Sequence, residues 1–95
     1  MLIRSQDKTA LVKFENIVVN LKLPDSLRVI CWGWQDAQRS GGYLILGQYS
    51  TKAKAMKVLN MIQEAYERYE YEKAFKTGPA LFETFQMPED SEVEI

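Results

Sequence analysis

The 95-residue sequence contains no histidine and only one cysteine. Histidine is the commonest general base and a frequent metal ligand, so its absence removes the usual serine or cysteine triads and most zinc sites. A lone cysteine cannot form an internal disulfide, and Cys31, between Ile30 and Trp32, is typical of a reduced, buried thiol. We therefore predict a protein that is not an enzyme, with no catalytic residues, no metal site and no cofactor.

Long apolar runs are also missing. No segment approaches the ~18–20 apolar residues that cross a bilayer, and the N-terminus lacks the charged-then-apolar order of a secretion signal. The sequence Ser40-Gly41-Gly42 does not match a phosphate-binding loop, because no helix and no suitably spaced lysine follow it. The missing apolar run and signal predict a cytoplasmic protein with no membrane partner. The sequence also contains no nucleotide-binding fingerprint.

The composition is that of a folded domain, with 46 % apolar and 26 % charged residues. We predict one domain over residues 1–88 and a flexible acidic tail over 89–95, because four of the thirteen acidic residues lie in those last seven positions. Without the tail, twelve basic residues face nine acidic ones, an excess too small to predict duplex DNA binding. A chain this short buries only ~60–65 % of its unfolded surface, which favours a homo-oligomer.

The first half of the chain has the alternation of strands. Apolar and other residues alternate from Ile17 to Leu23, with Ile17, Val19, Leu21 and Leu23 on one side. Residues 28–34 and 43–49 are rich in β-branched and aromatic side chains, and the polar stretch 35–42 between them predicts an antiparallel hairpin. Shorter strands are predicted near Leu2–Ile3 and residues 11–14.

The pattern changes to helical spacing after Ser50. Seven apolar residues recur on one helical face: Ala55, Val58, Leu59, Ile62, Ala65, Tyr66 and Tyr69. Ser50 is the predicted N-cap, and Thr77-Gly78-Pro79 ends the helix. Residues 81–87 predict a short returning strand. The fold class is therefore α+β: an antiparallel sheet of about four to six strands packed on one long helix, about 51–75.

Three lysines at the helix start form the first candidate binding site. Lys52, Lys54 and Lys57 lie where the helix dipole is already positive, so a phosphate-bearing ligand or an acidic partner would relieve their repulsion. The alternative is an ordinary solvated basic face.

Aromatic residues on the predicted hairpin form the second candidate site. Trp32 and Trp34 share one face of their strand, and Tyr43 or Tyr49 can lie beside them, giving a platform on which a base could stack. Arg39 in the intervening loop could close over the ligand. The alternative is that these aromatic residues belong to the core or to an oligomer contact.

Four segments carry a resemblance to a known family: Met1–Lys8, Leu46–Lys52, Val58–Gln63 and Phe85–Pro88. In these segments the chain resembles a family of small proteins encoded by phages, prophages and integrative elements of Gram-positive bacteria. The order of strands followed by a long helix also looks like the proteins that sequester Thoeris or CBASS nucleotide signals. The resemblance implies a counter-defence role in the host cytoplasm and assigns no ligand residue.

Three functions remain open from the sequence. The first is a non-enzymatic binding protein that sequesters a phosphate-bearing nucleotide signal, with the three lysines holding phosphate and Trp32, Trp34 or Tyr43 stacking a base. The second is a protein-directed inhibitor of a host defence nuclease, similar to an anti-CRISPR. The third is a structural accessory protein without a ligand.

Overall fold

The computed structural model describes residues 1–33, 42–75 and 84–94. They form two small three-stranded sheets and one long helix, which confirms the predicted α+β class. The strands are β1 Leu2–Arg4, β2 Leu11–Lys13, β3 Val18–Leu21, β4 Arg28–Trp32, β5 Leu44–Gln48 and β6 Thr84–Gln86. The helix is α1 Lys52–Phe75, and short 3-10 helices span Phe14–Asn16 and Asp90–Glu92.

The first sheet has the order β2-β1-β6. In the centre of the sheet Ile3 lies opposite Val12 on the antiparallel neighbour and opposite Phe85 on the parallel neighbour. The predicted returning strand is therefore present at β6, while residues 81–83 of the prediction lie outside the described part of the chain. Through this strand the C-terminal part of the chain pairs with its beginning.

The second sheet has the order β3-β4-β5 and is antiparallel throughout. Cys31 is opposite Leu44, as the predicted hairpin requires. The single predicted sheet is in fact two, joined where the backbone N–H of Gln6 donates to the Leu46 carbonyl at 2.7 Å. Strand alternation identifies which residues face inward, but it does not say which strands pair, so the sequence could not separate the two sheets.

A β-bulge in β5 directs two consecutive residues inward. Val29 pairs with Gly47 and Ile30 pairs with Ile45, which leaves Leu46 as the extra residue. Leu46 and Gly47 are both buried, and Tyr49 packs into the core just after the strand.

The helix begins one residue later than predicted. The Thr51 hydroxyl, rather than that of Ser50, accepts a hydrogen bond from the Lys54 N–H at 3.1 Å, and the Thr51 carbonyl accepts from Ala55 N–H at 3.2 Å. Both bonds identify Thr51 as the N-cap. The predicted apolar face is confirmed: Ala55, Val58 and Ile62 are fully buried, and the other four predicted positions are partly buried.

The core contains the single cysteine and part of the predicted tail. Cys31 is fully buried, as predicted, and its burial raises the pKa of the thiol. The expectation that residues after Pro88 do not pack is wrong, because Val93 is only 4 % exposed and belongs to the core cluster. Val93 thus packs the acidic segment against the core, and the average composition of the segment does not reveal this contact.

Within the described ranges, no helix is both long enough and apolar enough to cross a membrane.

Candidate functional site on the outer face of the second sheet

The structure separates the two halves of the predicted site. Trp32 and Tyr43 lie at one end of the β4–β5 hairpin, whereas α1 begins shortly after the other end, where Arg28 pairs with Gln48. Gln48 lies five residues along the chain from Tyr43, roughly 17 Å at the usual rise of a strand. Trp34 and Arg39 lie outside the described residues. The lysines and the aromatic pair are therefore two distinct places on the molecule.

The lysines at the helix start contact the chain's own acidic segment. The Lys54 ammonium donates to the Asp90 carbonyl at 3.0 Å and lies 3.6 Å from the Asp90 carboxylate, and the Lys57 ammonium donates to the Glu94 carbonyl. Lys52 is exposed. Asp90 thus supplies Lys54 from within the molecule with the anion expected from outside, and Lys57 contacts a backbone carbonyl of the same distant segment.

The Asp90 carboxylate lies just before the helix. Its Oδ1 accepts a 2.7 Å hydrogen bond from the Ser50 N–H. This bond is the main reason that the pKa of Asp90 is lowered, and the Lys54 ammonium contributes in the same direction. A carboxylate here also interacts favourably with the helix dipole. The helix start therefore already holds an anion and is a poor choice for a ligand site.

Trp32 and Tyr43 form a partly exposed aromatic pair on the second sheet. Their ring centroids are 5.4 Å apart with planes tilted by 54°, and Trp32 is 39 % exposed. The Trp32 indole N–H donates to Asn20 Oδ1 at 2.7 Å, which fixes the orientation of the ring. A tilted contact of this kind leaves ring faces and edges available to a ligand.

A cation completes the cluster. The Lys22 ammonium lies 5.1 Å from the Tyr43 ring centroid, a cation–π distance. Lys22 follows β3 and Tyr43 precedes β5, so the contact reaches across β4, the middle strand. We call Asn20, Lys22, Trp32 and Tyr43 the outer-face cluster.

Strand alternation explains why this cluster faces outward. Val19 and Leu21 pack on the helix side of β3, so Val18 and Asn20 occupy the opposite side. Val18 pairs directly with Trp32 and is 64 % exposed, and Ile45 at the other edge is 44 % exposed. The outer face therefore combines aromatic rings, an ammonium and a flanking apolar surface.

Gly42 allows the close approach of the tryptophan ring. Its φ of +99° is a conformation that residues with a side chain rarely adopt, and a Cβ at this position would lie 3.0 Å from Cζ3 of Trp32. Both the backbone conformation and the packing against Trp32 therefore favour glycine at position 42.

Tyr49 does not belong to this cluster. It is 2 % exposed, its hydroxyl donates to the Pro88 carbonyl at 2.8 Å, and burial raises its pKa. For Tyr49 the core alternative is therefore the right one, whereas Trp32 and Tyr43 are at the surface. Sequence reasoning missed Asn20 and Lys22, although their alternation with Val19 and Leu21 was a signal that both share the outward side.

A second concave region lies on the opposite side of β3. A cavity of about 430 Å³ opens between α1, the 3-10 helix Phe14–Asn16 and β3. Its walls are mostly apolar and aromatic, and its polar side chains come from the helix. The lining residues are Phe14, Val19, Leu59, Ile62, Gln63, Tyr66 and Glu67.

Comparison of the chain with protein-family models, with curated proteins and with solved structures finds no match in any of the three. Within the described ranges, no three His, Cys, Asp or Glu side chains are grouped so that they could hold a metal ion. The assignment of a function therefore depends on the geometry of the chain itself.

Proposed function

We propose that this protein is a non-enzymatic binding protein that captures a phosphate-bearing nucleotide on the outer face of its second sheet. The observation that carries the proposal is the partly exposed Trp32–Tyr43 pair with the Lys22 ammonium beside it. Aromatic side chains stack nucleobases at ~1–3 kcal/mol per base, and an ammonium beside them attracts phosphate. The stacking residues in this proposal are those predicted from the sequence, whereas the phosphate contact is assigned to Lys22 and not to the helix start.

A second cation supports the same assignment. Arg28 lies two residues before Ile30 and four before Trp32 on β4, so alternation places all three on one side of the sheet. Its backbone carbonyl accepts from the Lys22 N–H at 2.9 Å, which brings the two basic residues next to each other. A base on the aromatic pair and a phosphate near Lys22 and Arg28 would span the face of a single small sheet.

The biological role in this proposal is counter-defence. Its basis is the resemblance to proteins of phages and integrative elements, and capture of a host nucleotide signal fits a binding site without catalytic residues. We propose that the protein acts in this way in the cytoplasm of the host cell, as a homo-oligomer.

The test is a titration of the purified protein with cyclic dinucleotides and cyclic ADP-ribose variants, followed by tryptophan fluorescence and calorimetry. We expect saturable binding of at least one ligand. Trp32→Leu should abolish it, because the stacking surface is lost, and Lys22→Gln should weaken it several-fold. Absence of binding by every nucleotide, or binding that Trp32→Leu leaves unchanged, would contradict the proposal.

Lys52→Gln is the matched control. It removes the same charge from an exposed lysine at the helix start, away from the aromatic pair. If Lys52→Gln weakens binding and Lys22→Gln does not, phosphate is held at the helix start and the outer-face assignment is wrong.

The apolar flank of the same face supports a second candidate function, inhibition of a host defence protein. Val18 and Ile45 are exposed on either side of the aromatic pair, and Trp and Tyr surrounded by apolar contacts are typical of protein interfaces. Val18→Asp should then abolish capture of a stoichiometric protein partner from host lysate. A nucleotide site limited to Trp32, Tyr43 and Lys22 should tolerate that change.

A further inference from the structure

We propose that the cavity between α1 and β3 is a binding site for an organic cation with an aromatic or apolar body. This site is independent of the function proposed above, because it lies on the helix side of β3 and the outer-face cluster lies on the other side. Its volume of about 430 Å³ falls within the ~300–1,000 Å³ typical of small-molecule sites.

The walls suit an apolar body with a cationic group. Phe14 and Tyr66 line the cavity with ring centroids 4.6 Å apart and planes tilted by 44°, so they present differently oriented rings to its interior. Ring faces attract cations, and cages of aromatic side chains recognise quaternary ammonium groups. Leu59 and Ile62 supply the aliphatic part of the wall.

The polar groups at the cavity favour positive charge. Glu67 is a lining residue, and its Oε1 accepts a 3.1 Å hydrogen bond from the Gln63 amide of the same lining. Interaction with the Glu70 carboxylate raises the pKa of Tyr66 to about 12. Among the described lining residues there is no lysine or arginine. The carboxylates and the rings therefore favour a cationic ligand over a neutral or anionic one.

The test uses three probes of similar size: benzyltrimethylammonium, benzyl alcohol and phenylacetate. Each is titrated into the full chain and followed by NMR of the methyl groups. We expect saturable shifts at Val19, Leu59 and Ile62, with the cation bound roughly 2- to 30-fold more tightly than benzyl alcohol and phenylacetate weakest. No saturable shift with the cation, or equal or tighter binding of either other probe, would overturn the proposal.

Two helix variants test the role of charge. Glu67→Gln should weaken benzyltrimethylammonium several-fold, whereas Glu64→Gln, an equal charge change on an exposed helix position outside the lining, should not. Equal affinities for both variants would contradict the role of the Glu67 carboxylate. Leu59→Trp, which fills the cavity, should remove the shifts, and retained binding would place the probe elsewhere. Circular dichroism and a melting curve check that each variant is folded.

Discussion

The Asp90 carboxylate accepts a 2.7 Å hydrogen bond from the backbone N–H of Ser50, forty residues earlier in the chain. The contact joins the acidic C-terminal segment to the residue just before the long helix. It also brings the Lys54 ammonium to 3.6 Å from the same carboxylate. The helix start and the C-terminal segment therefore satisfy each other's charge and hydrogen-bonding requirements.

Asp90→Ala should therefore lower the melting temperature, because the Ser50 N–H loses its acceptor and Lys54 loses its counter-ion. Ser91→Ala, in the same short 3-10 helix and exposed, is the control and should melt like the natural protein. The measurement is a thermal melt by circular dichroism at low salt. Equal melting temperatures for the two variants would show that the contact does not contribute to stability.

Acid should destabilise the protein through two carboxylates. Hydrogen bonds from Ser5 and Thr9 lower the pKa of Asp7 from 3.8 to about 2, and the Ser50 N–H lowers the pKa of Asp90. A carboxyl group with a lower pKa in the folded state stabilises the protein above its unfolded pKa, and this contribution is lost as the pH falls.

Denaturant unfolding at a series of pH values should therefore show a constant contribution from Asp7 above about pH 4, which disappears between about pH 4 and 2. Asp7→Asn should remove that part of the pH dependence and leave the dependence due to Asp90. If the stability of Asp7→Asn falls as steeply with acid as that of the natural protein, the pH dependence is not due to Asp7.

Gly47→Ala should destabilise the protein by about 1–3 kcal/mol, the usual cost of overpacking. A Cβ at this position would lie 2.9 Å from the Tyr49 hydroxyl and 3.2 Å from the Met87 methyl group. Both side chains are buried, and the hydroxyl is already hydrogen-bonded to Pro88, so neither can move without cost.

The double variant Gly47→Ala/Tyr49→Phe tests the cause. Removing the hydroxyl relieves the shortest contact, so the combined loss in free energy of unfolding should be smaller than the sum of the two single losses. Additive losses would mean that the glycine is required for another reason.

Local patterns predicted most of the fold. The alternation at Val19 and Leu21 and the helical spacing of Ala55, Val58 and Ile62 each reflect one buried side, so the sequence alone identifies them. The division into two sheets depends on which strands pair, and the Gln6–Leu46 hydrogen bond that joins the sheets is a contact between distant residues that no local pattern contains.

The candidate site shows the same division between local and distant information. The surface position of Trp32 and Tyr43 is compatible with the alternation. The contacts of the helix-start lysines with the C-terminal segment, in contrast, are not contained in any local pattern. Lys54 meets Asp90 in a C-terminal segment that the Ser50 N–H also holds and whose Val93 packs in the core. Average composition favoured a frayed acidic tail, and a single apolar residue was enough to make that interpretation wrong.

The helix cap provides a last test that separates two neighbouring residues. Thr51→Ala should cost about 0.5–2 kcal/mol, because the Lys54 N–H loses the hydroxyl that caps it. Ser50→Ala acts differently, since the Ser50 side chain interacts with the Asp90 carboxylate and helps to lower its pKa. In an Asp90→Ala background the Ser50→Ala effect should therefore vanish, while the Thr51→Ala effect should persist. Chemical denaturation of the natural protein, the three single variants and the two double variants measures both differences, and a Ser50→Ala effect that survives without Asp90 would restore Ser50 as the cap.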